Sequence, residues 1–419
     1  MSKPNLRILL CAFITLLNDR LGETVLLPLF PKLKQDFGIS PFSLGLLAGT
    51  YALAQFAVAP LIGALSDRFG RKPIITFCVM GSVIGLSLFA ITIGIWNSYL
   101  PAWSGGTPII LILLFSSRVI DGASGGTVAS ATAVLADIST PENRAKAFGL
   151  IGVAFGLGFV VGPFLGSILT NINITLPGIF ATLFAIINLL VVILILQETH
   201  PVEARKVISK NKELNPIMQL VSVFTNPLIR RLALAFFLFF MAFNGLTSFL
   251  LLYLEEVFGW EGILPGLSLA WVGVVAMIVQ GGLIGPLVSK YGELRLTLLG
   301  IGFVIVGCLL LAISTKENSI PTVFTAEGFL AIGTGLVVPC LRALVSRRLN
   351  NSGQGAVLGS LQGLQSLGTF LGAAVAGLVY EVLGARSPFW IGMIILIIVG
   401  GLVEGGLPTK RKGIQSSST

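Results

Sequence analysis

GALSDRFGRKP, residues 63–73, interrupts a long apolar run and places four charges in six positions: Asp67, Arg68, Arg71 and Lys72, with Gly70 as a hinge among them. Three of the four are basic, so in a membrane protein this loop stays on the cytoplasmic side. The segments flanking it are long and apolar enough to cross about 30 Å of hydrocarbon as helices, which takes roughly 20 residues. Such segments recur along nearly the whole chain, at 6–30, 42–65, 73–95, 107–136, 145–170, 176–197, 230–254, 265–290, 294–314, 320–345, 354–380 and 386–408. They predict an all-α membrane protein of twelve transmembrane helices. Composition agrees: with 54% hydrophobic residues, 11% charged residues and a mean hydropathy of +0.94, the chain lies outside the range of soluble domains.

The net charge of +9 is informative through its placement. With the N-terminus inside, Lys32, Lys34, Lys316 and Arg386 fall outside, Arg20 and Arg118 fall within spans, and the other basic residues fall on the inner side. That asymmetry sets topology, with both termini cytoplasmic, and disfavours nucleic acid as a partner. The cluster Arg205, Lys206, Lys210 and Lys212 reads as a solvated orientation signal or as a contact for anionic lipid.

Cys11, Cys78, Cys308 and Cys340 lie in or at the ends of spans without close spacing, so they read as packing residues and not as a disulfide frame or metal site. Lys3 and Arg7 precede an apolar stretch in the manner of a secretory signal. Asn18, Asp19, Arg20 and Glu23 interrupt that stretch, and no small-residue cleavage pattern follows, so it reads as a retained first helix.

The longest polar interruption, about 198–226, divides the spans six and six. The expected units are 1–198, a six-helix bundle; 199–228, a cytoplasmic central loop; and 229–419, a second six-helix bundle with a short tail. Gly63 and Gly70 recur as Gly285 and Gly292 in GPLVSKYGELR, and Gly149, Gly158 and Gly162 recur as Gly359, Gly368 and Gly372. The extra polar stretch at 96–107 accounts for the change of register between the two sets. Duplicated six-helix halves suit a carrier whose bundles close alternately on either side of a midplane site.

Several further patterns are those of one family. Leu21, Gly22, Pro28 and Pro31 fit LGxxxxxPxxP in the first span. Leu114, Arg118 and Gly122 fit lxxxRxxqG in the fourth, and Gly158, Gly162, Pro163 and Gly166 fit gxxxGPxxGG in the fifth. With the 63–73 loop, the chain resembles the twelve-span drug/proton antiporters of the major facilitator superfamily over essentially its whole length. ADISTPENRAKAFG (136–149) and QGAVLGSLQGLQSLG (354–368) look like the tetracycline-efflux branch in particular. Two positions depart from the patterns: Asp121 stands for the usual Gln, and Ser167 for the last Gly.

The resemblance implies that the loop residues Gly63, Asp67, Arg68, Gly70, Arg71 and Lys72 act as a gate. Asp67 would accept hydrogen bonds at a helix N-terminus and Arg71 would pair with an acid across the half, contacts made only when the cytoplasmic side is closed. The plain alternative is an orientation signal with a tight turn. The run from Gly158 to Gly166 either lets helices approach closely or takes part in the conformational change, with Pro163 freeing one backbone hydrogen bond.

Ionisable residues inside spans mark function by default. At about 100° per residue, Asp19, Glu23 and Arg20 point to about 0°, 40° and 100°, one polar wedge that should face a cavity. Two acids share one base, which leaves a carboxyl able to take up and release a proton. Asp19 also falls where tetracycline/proton antiporters carry an acid, so it is the favoured coupling site, with a static salt-bridged wedge as the alternative. Arg118 needs a partner, and Asp121, three residues on, can supply it either as a permanent pair or as part of a proton-linked switch. Glu327 is a third intramembrane acid, a further proton-coupling candidate placed near the outer end, or else a residue solvated by an external vestibule. Tyr51, Gln55, Asn244, Trp271, Gln280, Gln362 and Gln365 are expected to line the cavity with Arg20, or else to bond between helices.

The expected function is proton-coupled export of a lipophilic or amphipathic small molecule, tetracycline-like, across the inner membrane by a monomer without cofactor or metal. The alternative is a metabolite exporter or an uptake carrier of the same superfamily. An enzyme is disfavoured: the only histidine, His200, lies in the central loop, and no nucleotide-binding glycine loop occurs.

Overall fold

The structure, a computed structural model, describes residues 3–99, 107–139, 144–200, 215–348 and 354–405. The basic cluster at 205–212 and the tail beyond 405 lie outside the described residues. The described chain is helical, without strands. Among the described residues, eleven helical spans are long and apolar enough to cross a membrane. The twelfth is the first, α1 (Lys3–Thr24) followed by α2 (Leu29–Phe37), in which the charged trio keeps the hydropathy low.

Three predicted spans are interrupted. After α1 the chain turns through 25–28, where Pro28 has no N–H to continue the helix, and α2 then carries the span on to Phe37, beyond the expected end at 30. The fourth span breaks at Gly125 and Gly126 into α5 (Thr107–Ser124) and α6 (Thr127–Asp137). The eighth passes from α11 (Leu264–Ile278) through a π segment, Val279–Leu283, containing Gly281 and Gly282, into α12 (Ile284–Tyr291). Between and beyond these run α3 (Pro41–Phe69), α4 (Arg71–Tyr99), α7 (Arg144–Ile172), α8 (Leu176–Ile195), a short amphipathic α9 (Pro216–Thr225) and α10 (Arg230–Phe258). The chain ends with α13 (Glu293–Ile313), α14 (Ser319–Ser346), α15 (Gln354–Leu383) and α16 (Ser387–Gly405). Starts are specified locally: Ser40 Oγ accepts from Ser43 N at 3.3 Å ahead of Pro41, the first residue of α3.

α1 and α3–α8 pack among themselves, as do α10–α16. Alongside smaller contacts such as α2 on α10, two extensive ones join the groups, α3 on α15 and α7 on α11. Glycines permit both. A Cβ on Gly377 would meet the Pro41 carbonyl at 2.5 Å, and one on Gly273 would meet Val160 N at 2.9 Å. Among the described residues these close approaches lie toward one end and the middle of the molecule, as at Gly156 against Met277. At the end bearing the 63–73 loop, Gly63, Gly152, Gly281, Gly282 and Gly285 have open space where a Cβ would be, and α12 buries no residue. Among the described residues the two groups therefore touch toward the far end and splay at the loop end, where α9 lies against both α3 and α15. Their outer faces, such as Leu183, Ile187, Leu190 and Leu194 of α8, are exposed and apolar as a lipid contact requires.

Candidate functional site: a polar cavity between two helical groups

Between the groups lies a cavity of about 110 Å³ whose lining includes Arg20, Glu23, Tyr51, Gln55, Phe155, Phe159, Phe240, Phe243, Asn244, Gln362 and Gln365. It adjoins a more apolar lobe toward the far end that includes Leu26, Phe30, Leu47, Phe89, Arg118 and Leu269. The space is thus polar on one side and greasy on the other.

The α1 wedge forms the polar wall. Arg20 holds Glu23 at 2.6 Å and Asp19 at 3.4 Å, and its guanidinium stacks over Phe155 at 4.4 Å. The Tyr51 hydroxyl donates to Asp19 Oδ1 at 2.8 Å. Asp19 is buried behind this cluster, while Arg20 and Glu23 reach the cavity. The glycine face of α7 lets α1 sit there: a Cβ on Gly158 would lie 2.6 Å from Arg20 Cβ, and those on Gly162 and Gly166 would run into Thr24 Oγ1 and the Val25 carbonyl. Thr24 Oγ1 also donates to the Gly158 carbonyl at 2.9 Å. Behind the apolar lobe, Arg118 pairs with Asp121 at 3.3 Å and stacks on Phe89. Gln55 Nε2 donates to the Gly125 carbonyl at 3.1 Å, and Gln55 Oε1 accepts from Ser366 Oγ of α15 at 3.2 Å, linking the two groups at the cavity floor.

A polar latch closes the far end. Glu256 of α10 takes Lys34 of α2 on one oxygen and the Tyr380 hydroxyl of α15, at 2.7 Å, on the other. Gln35 reaches Glu255 at 2.6 Å, and Glu381 of α15 accepts the Phe42 N–H at the start of α3 at 3.0 Å.

At the loop end, Arg71 pairs with Asp67 at 2.5 Å and with Asp137, at the end of α6, at 3.1 Å. Among the described residues Asp67 caps no helix. The acid at a helix N-terminus is Glu198, whose carboxylate accepts the Arg71 and Lys72 N–H groups at 2.8 and 3.2 Å at the positive end of α4. All these partners belong to α1–α8 and the chain directly after it, and they are in place while the loop end is splayed. The expectation that Asp67 and Arg71 make their contacts only when that end closes does not describe this state.

The second group repeats the loop with its charges exchanged. Gly292 stands where Gly70 does, both at positive φ (77° and 105°), a conformation that glycine takes without steric cost. Glu293 follows it as Arg71 follows Gly70, and pairs with Arg347 at the end of α14 at 2.7 Å, as Arg71 pairs with Asp137. The faint glycine repeat is therefore a structural one.

The family model of the Major Facilitator Superfamily matches residues 8–349 and 282–418. The chain belongs to the major facilitator superfamily. It is a multi-pass membrane transporter and not an enzyme. Over 422 residues, covering all of both chains, it is 30% identical to the class C tetracycline resistance protein of Escherichia coli. It is 28% identical to multidrug resistance protein 2 of Bacillus subtilis (strain 168) over 386 residues, 91% of this chain and 90% of that one. The crystal structure of the human organic anion transporter MFSD10 superposes with a TM-score of 0.72 at 25% identity, covering 96% of this chain and all of that one.

Within this superfamily fold, Arg20, Glu23, Tyr51, Gln55, Asn244, Gln362 and Gln365 come together at the cavity, with Asp19 one layer behind. Trp271 does not join them: its indole N–H donates to the Phe324 carbonyl at 3.0 Å, and 41% of the residue is exposed. Gln280 is exposed in the π segment on the splayed side of the molecule. Glu327 occupies no vestibule; it is fully buried, beside Ser268 of α11. Three kinds of residue escape sequence reasoning. Lys34, Glu256 and Tyr380 carry no pattern separating a latch from ordinary outer-loop polarity. Asp137 and Glu198 sit just past span ends and read as solvated. Arg342, counted among the inner topogenic charges, holds Gln365 Oε1 at 2.5 Å and Gln362 Oε1 at 3.4 Å. Its position inside the 320–345 span is the one signal that sets it apart.

Proposed function

We propose that the chain exports a lipophilic or amphipathic small molecule from the cytoplasm in exchange for protons, by alternating access of residues 1–198 against 229–419, with 199–228 as the cytoplasmic connection. The protein resides in the inner membrane with both termini inside. On this orientation the splayed loop end faces the cytoplasm, and the latch closes the outer side.

The observation that carries the reading is the buried α1 trio at the wall of a cavity between the two groups. Asp19 and Glu23 compete for one guanidinium, and Tyr51 ties Asp19 to α3, one of the two helices bridging the groups. A proton on Asp19 removes its pull on Arg20 and weakens the acceptor that Tyr51 holds, so protonation changes the link between the wedge and a bridging helix. The relatives' names, tetracycline and multidrug resistance proteins, support export of such compounds. The lobed cavity, greasy on one side and polar on the other, suits an amphipathic substrate.

The test is proton flux in vesicles holding purified protein. Substrate should drive proton movement in the wild type. In Asp19→Asn that movement should be lost while substrate still binds. Flux in the variant equal to the wild type removes Asp19 from the coupling.

A further inference from the structure

Three arginines lie in the helices around the cavity, Arg20 and Arg118 well inside their spans and Arg342, partly buried, near the inner end of α14, and two of them have carboxylates: Asp19 and Glu23 for Arg20, Asp121 for Arg118. Arg342 has none among the described residues. Its Nη2 is held by the side-chain oxygens of Gln365 and Gln362, at 2.5 and 3.4 Å, and its guanidinium lies against the Phe236 ring, 5.7 Å from the centroid. These acceptors are neutral, so they orient the fork without neutralising it. The Nη1 and Nε donors make no hydrogen bond among the described residues, and neither is sealed from solvent. Gln362 and Gln365 are themselves part of the cavity lining, opposite Arg20 and Glu23 and next to Phe240, Phe243 and Asn244.

A planar cation with one edge pinned and the other free is the geometry that receives a carboxylate or sulfonate through two parallel hydrogen bonds. Desolvation makes such a partner favourable, because a charge left alone in a low-dielectric wall is costly. The neighbouring phenylalanines supply faces for an aromatic body. Resting on the export reading above and deepening it, we propose that Arg342, Gln362 and Gln365 form the subsite for the acidic group of an amphipathic organic anion, whose apolar part lies against Phe240 and Phe243. Arg20 is excluded from that role by its two acids. Asp19 and Glu23 together more than offset its charge, so the facing wall does not attract an anion, which is drawn to the Arg342 side.

The test compares three probes of one shape on the detergent-purified full chain: 2-naphthoate, its neutral amide 2-naphthamide, and the cation 2-naphthyltrimethylammonium, with binding read by calorimetry. Wild-type protein should bind the naphthoate at least about tenfold more tightly than the amide and the cation. Arg342→Gln should lose that preference, with amide binding unchanged, and Arg342→Lys should keep part of it. Gln365→Leu, which leaves the charge, should weaken naphthoate several-fold and serves if Arg342→Gln does not fold. Wild-type binding that is equal for naphthoate and amide, strongest for the cation, or too weak to detect for all three overturns the proposal. So does naphthoate affinity within about twofold of wild type in Arg342→Gln. Proton-linked transport of the cation in vesicles, abolished by Asp19→Asn, would leave the export reading standing while the anion subsite falls. Absence of proton-linked transport for every compound would sink the export reading instead.

Discussion

Glu256→Ala removes the centre of the latch, and the size of its effect follows from which of the two bonds of the Glu256 carboxylate crosses between the helical groups. The Lys34–Glu256 pair has side chains 30% and 27% exposed, so solvent screening limits it to about 0.5–1 kcal/mol. The Tyr380 hydrogen bond to the same carboxylate, 2.7 Å long, joins α10 to α15 within the second group and survives outward opening, so it does not enter the difference. The Lys34 contact crosses between the two helical groups, so outward opening breaks it. A destabilisation of about 0.5–1 kcal/mol of the latched form raises the population open at that end by about twofold to fivefold. Ser248, in the apolar lobe behind the latch, reports it. In a background with Cys11, Cys78, Cys308 and Cys340, all buried, replaced, a cysteine at 248 should be labelled by an impermeant thiol reagent added outside at a rate proportional to that population. Glu256→Ala should speed labelling by the same factor, and high salt should shrink the ratio by weakening the wild-type latch. A ratio indistinguishable from one at low salt would mean that Glu256 does not hold this end closed.

Arg71→Gln strips the partner from Asp137 and Asp67, acids 23% and 43% exposed, so the cost should be about 1–2 kcal/mol and not that of a fully buried pair; a melt in detergent should fall by several degrees, and an unchanged melt refutes the structural weight given to this network. The exchanged pair in the second group supplies a cycle: Glu293→Arg and Arg347→Glu should each lower the melt, and the double variant should recover most of the loss, whereas additive losses would deny the pairing. Gly162→Val drives a side chain into Thr24 Oγ1 across the α1–α7 contact, with a cost of about 1–3 kcal/mol and displacement of the α1 wedge. It should depress transport more than Gly152→Val, whose site is open; equal transport by the two variants would show that α1–α7 packing does not position the wedge.

Span number and the six-and-six division follow from hydropathy and from the polar interruption after residue 198, because burial in lipid imposes a long, unbroken apolar pattern. Breaks inside spans are less visible. Pro28 and the glycine pairs at 125–126 and 281–282 stand plainly in the sequence, but whether a helix bends at such residues depends on what packs beside it: Gly126 faces Ile62, whereas Gly281 faces nothing. Helical periodicity places Asp19, Arg20 and Glu23 on one wedge, since three residues on one helix need no knowledge of neighbours. It does not reveal that Asp19 finds Tyr51, that Trp271 turns to the Phe324 carbonyl, or that Glu327 is wholly enclosed. Those outcomes depend on inter-helix register. Arg342 is hidden for a related reason: a basic residue near an inner span end satisfies the topology rule equally well whether it faces water or a cavity.

The most direct measurement of the central claim is substrate-driven proton flux in liposomes of known orientation, comparing wild type, Asp19→Asn and Asp19→Glu at equal protein incorporation. Flux in the wild type, flux reduced but present with glutamate, and none with asparagine despite retained binding is the predicted set. Equal fluxes in all three proteins would contradict it, and the carboxyl behind Arg20 would then be a structural brace and not the proton's seat.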